Sequence, residues 1–406
     1  MTSRERILSA VEVRPVDRLP VDLAGMRSTG ISAFAYPALV QALGLPPRRP
    51  RVYDTGQMLA FPERDVLDAL GCDCVTVEEY VTNAFDQPDI WHPYDFGGRL
   101  PALVQNPADF QALPDGTVLQ HGGSTRMPPA STVFDAEHGG YAIDLDGDIP
   151  PPDADEARRS AERRLFRDGE AERLAAFCHR VRAAAPDKAV FANFWHTGAG
   201  IGIGVGQYPM VCLMYPDEVY ECHKAAADAC VRNMERLFPL VPDDIDILLV
   251  SADDWGTQSS LMASPDVFRE LFQPFYRQIN DAAHALLPRL KTFLHCCGAV
   301  HPLIPDIADC HFDVLNPVQW SAGGRTPAEW KSAAAGRIAL WGGGVNAQAT
   351  LPFRDADAVS DEVRRVVPEL SRGGGYVFCN THNILAEVAP DKILAMYRAA
   401  HSLSPA

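Results

Sequence analysis

The chain has 406 residues, 47% of them hydrophobic and 22% charged, and a formal net charge of −17; this is the make-up of a globular protein large enough for one big barrel or two ordinary domains. That charge disfavours nucleic acid and anionic membrane surfaces as partners, since both need clustered Lys and Arg, and no apolar run of about 18 residues offers a membrane span. Ten cysteines behind a first octapeptide with no export signal read as reduced thiols of a cytoplasmic protein, not as a disulfide framework.

Strand-like runs are predicted at 18–23, 74–77, 189–194, 246–250, 291–295, 313–318, 337–342 and 374–379. Amphipathic stretches lie between them, among them 216–237, 264–287 and 355–370. Alternation of β and α implies a parallel sheet covered by helices. About eight such units predict one (β/α)8 TIM-type barrel domain over residues 1–406, with an amino-terminal extension. The stretch at roughly 106–152 contains Asp115-Gly116, Gly122-Gly123, Gly139-Gly140 and three consecutive prolines. It reads as a rim insertion of short hairpins and loops.

Chemistry in such a barrel sits where the strands end. His196 follows the 189–194 run and opens a glycine-rich stretch, 198–206, whose every-second-residue spacing does not fit a dinucleotide fingerprint. A tight approach to a neighbour, or a lid, suits those glycines better. Asp253 and Asp254 follow the next strand and suit substrate orientation or general-base work; capping or pairing with an arginine is the plainer alternative. His295 and Cys297 end the run at 291–295 and share one side by strand alternation. Cys379 closes the last run. One nitrogen and two sulfurs suit zinc with a position left open for chemistry, although buried cysteines are common as plain packing. Gln319 ends the 313–318 run and suits a substrate contact or a structural hydrogen bond.

The segments Asp254-Trp255-Gly256-Thr257-Gln258, His295-Cys296-Cys297-Gly298 and Val314-Leu315-Asn316-Pro317-Val318-Gln319, with Gly373-Gly374-Gly375-Tyr376, resemble the uroporphyrinogen decarboxylase superfamily. The resemblance extends to its zinc-dependent, cobalamin-linked methyltransferase branch and covers nearly the whole chain. It implies a distorted (β/α)8 barrel. In the decarboxylases two early arginines hold substrate carboxylates. Arg27 matches the first, but Ile31 stands where the second would be, and an aliphatic chain cannot replace a bidentate guanidinium clamp. A porphyrinogen is therefore not the expected substrate, and Arg27 is expected to bind a smaller one.

The methyltransferase branch implies zinc on His295, Cys297 and Cys379, with Cys296 turned away. His382 falls near a substrate-contacting histidine of the decarboxylases and is expected to be a substrate contact, a ligand or a loop-fixing donor. The function so implied is methyl transfer between cobalamin on a partner corrinoid protein and a small thiol or methylated substrate. Zinc there would deprotonate a thiol or act as a Lewis acid. Superfamily habit and the acidic exterior also admit a homodimer. The rivals are a metal-free lyase acting on a small carboxylic acid and a non-catalytic module that binds corrinoid or a methylated ligand.

Overall fold

The computed structural model describes residues 1–79, 90–134, 147–203 and 206–403. The first element is helix α1 (Ser3–Val11), started by a capping box in which Thr2 and Glu5 satisfy each other's backbone N–H. Its Ile7, Ala10 and Val11 are buried in one apolar cluster with Phe191, Phe293, Val314, Trp341 and Val377. Those five residues come from five different strands, so α1 packs against the inside of a barrel.

The barrel wall is a parallel sheet of seven strands. In chain order they are β1 (Cys74–Glu78), β2 (Ala189–Asn193), β3 (Ile247–Ala252), β4 (Lys291–His295), β5 (Val314–Asn316), β6 (Ala339–Trp341) and β7 (Tyr376–Val377). Each pairs with the next in sequence, and intervening helices return the chain. The segment 20–22 closes the circle. Val21 bridges Phe378 in parallel, Asp22 donates its N–H to Phe378 at 2.8 Å, and Asp73 donates to Val21 at 2.8 Å. With this eighth stave the fold is the (β/α)8 barrel expected. The lumen is filled. Phe191, Phe293 and Trp341 meet edge to face with centroids 4.8–6.0 Å apart, each fully buried ring contributing about 2 kcal/mol of transfer free energy.

One device recurs on the floor. Asp73, Asp246 and Asp313 each stand just before a strand and accept the N–H of Val21, Val190 and Thr292 respectively, on the preceding stave, at 2.7–2.9 Å. Cations neutralise the two buried ones: Arg6 and Arg18 meet Asp73, while Arg4 and Arg182 meet Asp246; the part-exposed Asp313 has Lys291 at 3.8 Å.

Helix Pro216–Leu237 has the expected limits. The stretch 264–287 is two helices, Pro265–Leu271 and Gln273–Leu286, broken at Phe272 just ahead of Pro274; proline disfavours helical backbone in its neighbourhood. The excursion begins earlier than 106: His92–Asp95 and Pro101–Val104 already form an antiparallel pair. Exposed residues and Pro93 disguise that edge strand as loop. A three-stranded sheet over Phe110–Met127 follows, packed through Tyr94, Phe96, Phe110 and Phe134. Residues 135–146 of the expected insertion lie outside the described residues.

Candidate functional site

Strand alternation delivers the first groups. Phe293 points into the lumen, so His295, two residues on, faces the same way at the rim. Its Nδ1 lies 2.7 Å from Asn316 Oδ1, on the neighbouring stave in register with it. Asn316 Nδ2 donates to the Trp341 carbonyl at 3.0 Å, which fixes the amide with its oxygen toward the imidazole. Nδ1 therefore carries the proton, and Nε2 keeps its lone pair for the mouth. Burial holds the His295 pKa below the usual value.

Cys297 stands 3.2 Å from that Nε2. Cys296 between them is fully buried on the other side, as expected. The Cys297 loop is fixed from three directions. Its N–H donates to Asp254 Oδ1 at 2.8 Å, Gly256 donates to its carbonyl at 3.1 Å, and Gly298 donates to Gln319 Oε1 at 2.8 Å. Gly298 has φ +89°, and a side chain there would run into the Gly256 backbone, so both crossing points need glycine. Burial, and then the Asp254 carboxylate, raise the Cys297 thiol pKa.

The third group is His382. Beyond β7 the chain turns over the rim, held by Thr381 Oγ1 to the Val345 carbonyl at 2.6 Å and by Asn383, which accepts from Gly30 N–H and donates to Gln57 Oε1, both at 2.9 Å. His382 thus returns to the mouth, its ring centroid 5.6 Å from that of His295. Burial first, and the neighbouring imidazole second, push it down to about 4, so it is neutral at pH 7. Among the described residues, His295, Cys297 and His382 are the one group of three whose donor atoms all lie within 4.8 Å of each other.

Cys379 does not join them, which corrects the expected ligand set. Its side chain is fully buried in the lumen cluster with Val377 and Trp341, and its Sγ lies 3.2 Å from the Asn380 carbonyl. The reason is parity: Val377 faces inward, so Cys379 faces inward too, below the rim. The chain needs three more residues to climb out and present a donor.

The other expected site residues are placed as follows. Asp253 is buried and accepts from Ile203 N–H, Trp255 Nε1 and Tyr276 Oη at 2.6, 2.7 and 2.9 Å; burial raises it to about 6. It anchors the glycine-rich stretch, which makes a tight approach: the Arg164 guanidinium occupies the space a Gly200 side chain would need. Residues 204–205 of that stretch lie outside the described residues. Asp254 is half-exposed, 3.7 Å from His295 Nε2. His196 hydrogen-bonds to Glu79 and stacks on Phe166 at 4.2 Å, so its ring serves the loop and lies outside the group of three. Arg27 donates to Glu78 at 2.9 Å and lies 3.8 Å from Asp54. Asn316, Gln57 and Asn383 carry no chemistry legible in sequence; Asn316 and Asn383 offer only an amide at the end of a strand or beside a histidine, and Gln57 lies in a turn with no signal at all.

The donor set fits zinc. Two neutral imidazoles and a thiol, partly shielded from water, suit a borderline-soft ion and leave room for a fourth ligand.

Residues 204–403 match the family model described as uroporphyrinogen decarboxylase (URO-D). No curated protein matches the chain. Among solved structures, a methyltransferase from Methanosarcina mazei is similar over 98% of each chain, at 18% identity and a TM-score of 0.54; the two share a fold. The xylanase XynB of Paenibacillus barcinonensis has 10% identity and a TM-score of 0.33 over 57% of this chain and 82% of its own.

Proposed function

We propose, from the match of residues 204–403 to the uroporphyrinogen decarboxylase family model, that this chain is a zinc-dependent methyltransferase. It would move a methyl group between a corrinoid held by a partner protein and a small thiol or methylated substrate. The carrying observation is the convergence of His295, Cys297 and His382 at the barrel mouth, in a fold shared with a methyltransferase.

Bound by these three residues, zinc would supply a Lewis acid with an open position for a sulfur, oxygen or nitrogen of the substrate. The chain's own residues do the rest. Asn316 holds the His295 tautomer, and Asp254 fixes the Cys297 backbone while its half-exposed carboxylate stands ready to accept a proton from an arriving thiol or water. Gln319 and the Gly256–Gly298 crossing hold the two loops in register.

Decarboxylation of a carboxylate-rich substrate is the weaker reading. Arg27 is engaged by Glu78 and Asp54, and Ile31, at the place of a second arginine, is fully buried.

The test is zinc content and affinity of the protein purified in parallel with its Cys297→Ser, His382→Ala and Cys379→Ser variants, with methyl transfer followed from methylcobalamin. Loss of metal in the first two, with retention in the third, is expected. A wild-type protein that takes up no zinc overturns the reading.

A further inference from the structure

The barrel mouth has two unlike walls. His295 and Cys297 come from the end of β4, and His382 from the chain beyond β7. The staves between β7 and β3 carry a different set of groups. Glu78 ends β1 on the inward face shared with Cys74, and its side chain is 2% exposed. It receives Arg27 at 2.9 Å, and Asp54 lies 3.8 Å from the same guanidinium. Asn193 on β2 is in register with Glu78. Its Nδ2 donates to Thr76 Oγ1 at 2.6 Å and the Gly25 carbonyl at 3.0 Å. Its Oδ1 is buried with no partner among the described residues.

This wall connects to the proposed metal group through hydrogen bonds. Asp54 holds Gln57, Gln57 holds Asn383, and Asn383 adjoins His382. One guanidinium thus faces two carboxylates and an unsatisfied carbonyl, with Asp254 a third carboxylate across the mouth. A buried acceptor without a donor costs about 1–3 kcal/mol, and a carboxylate near a low-dielectric wall repels a second anion strongly. Burial raises Glu78 to about 7, and the Asp54 carboxylate adds to the rise against the pull of Arg27, so on this wall two acids share one guanidinium and are short of positive charge. An anionic substrate would worsen that shortage. A cationic one would relieve it.

We infer that the small substrate of this site carries a protonated amine, received by Glu78, Asp54 and the free Asn193 carbonyl while its methyl-exchanging end points to His295, Cys297 and His382. The reacting end rests on the methyl-transfer reading; the amine subsite rests on the charges of the wall alone.

Three probes of similar size separate the cases: 2-methoxyethylammonium, neutral 1,2-dimethoxyethane and anionic methoxyacetate. Binding to the full-length protein is measured by calorimetry at pH 7.5. The cation is expected to bind at least tenfold tighter than the neutral probe and the anion weaker still, with Glu78→Gln and Asp54→Asn each lowering cation affinity about tenfold. Two variants are used because either substitution alone could perturb folding, which circular dichroism would reveal. Methoxyacetate binding as tightly as the cation, or a cation affinity that neither folded variant changes, overturns the inference. Cation preference without any methyl transfer to a corrinoid would uphold the subsite and remove the methyl-transfer reading. Methyl transfer with the anion preferred would do the reverse.

Discussion

His382 faces His295 across the barrel mouth with ring centroids 5.6 Å apart and planes inclined at 66°, although 86 residues separate them and no stave joins them directly. On the proposed zinc reading, this arrangement makes His382, rather than Cys379, the distant donor. His382→Ala should lower zinc affinity by at least tenfold in a chelator competition, and Cys379→Ser should leave it within about twofold. Equal losses in the two variants would restore the thiol as a ligand.

Asn316 holds the His295 tautomer. Asn316→Ala should reduce zinc affinity about 10–100-fold while His295 stays in place, the usual weight of a hydrogen bond that orients a metal ligand. Asn316→Asp should recover most of it, because a carboxylate accepts the same Nδ1 proton. Affinity unchanged in Asn316→Ala would show that packing alone orients the imidazole.

The pH response can be read at His223, away from the mouth. Its Nδ1 lies 2.8 Å from the Leu271 carbonyl and its Nε2 2.9 Å from Tyr208 Oη, and burial pushes it down to about 4. Between pH 6.5 and 4 the unfolded chain takes up a proton that the folded protein refuses. The stability from this group is therefore complete above about pH 6.5 and drains as pH falls toward 4, by up to about 3 kcal/mol. Asp22, raised to about 6 by burial, acts in the opposite sense, losing stability as pH rises through 6. It is common to wild type and His223→Gln and cancels in their difference. Urea unfolding of the pair should show wild type losing ground to the variant below pH 6.5; parallel curves would contradict this.

On the floor, Asp73 is fully buried between Arg6, Arg18 and the Val21 N–H. Asp73→Asn removes the fully buried carboxylate shared by Arg6 and Arg18 and leaves Arg6, itself 7% exposed at its side chain, with only its part-exposed partner Asp17, at 2.6 and 2.9 Å. A loss of about 3 kcal/mol in denaturant unfolding is expected, with zinc affinity of the surviving folded protein unchanged because the clamp lies at the far end of the staves. A loss below about 1 kcal/mol would mean that water compensates the guanidinium.

The order of staves was legible because β-branched and apolar runs alternate with long amphipathic stretches, and seven of the eight runs became strands. The eighth, near Val21, is a stave by hydrogen bonding but holds a single bridge, which no local pattern distinguishes from a loop. His295 and Cys297 were legible for the same reason as the strands: two-residue parity acts over a few angstroms. Cys379 against His382 was not. Both lie within five residues of the strand end, and the choice depends on where Thr381 and Asn383 find partners on Val345, Gly30 and Gln57, contacts set by distant parts of the chain. His196 shows the same limit: it stands at the correct end of the barrel, yet Glu79 and Phe166 turn it to structural use.

The circle of staves is sewn shut along one line, and Asp22 is the knot. An indole from the lumen, Trp341, binds its carboxylate, and a phenol from the outer helices, Tyr397, binds its carbonyl, each at 3.0 Å. Elsewhere in the wall neighbouring rungs reinforce one another; here the rung at Val21 stands almost alone. Any breathing of the cylinder should start at this seam, and it would bring water first to the sulfur of Cys379, on the stave alongside.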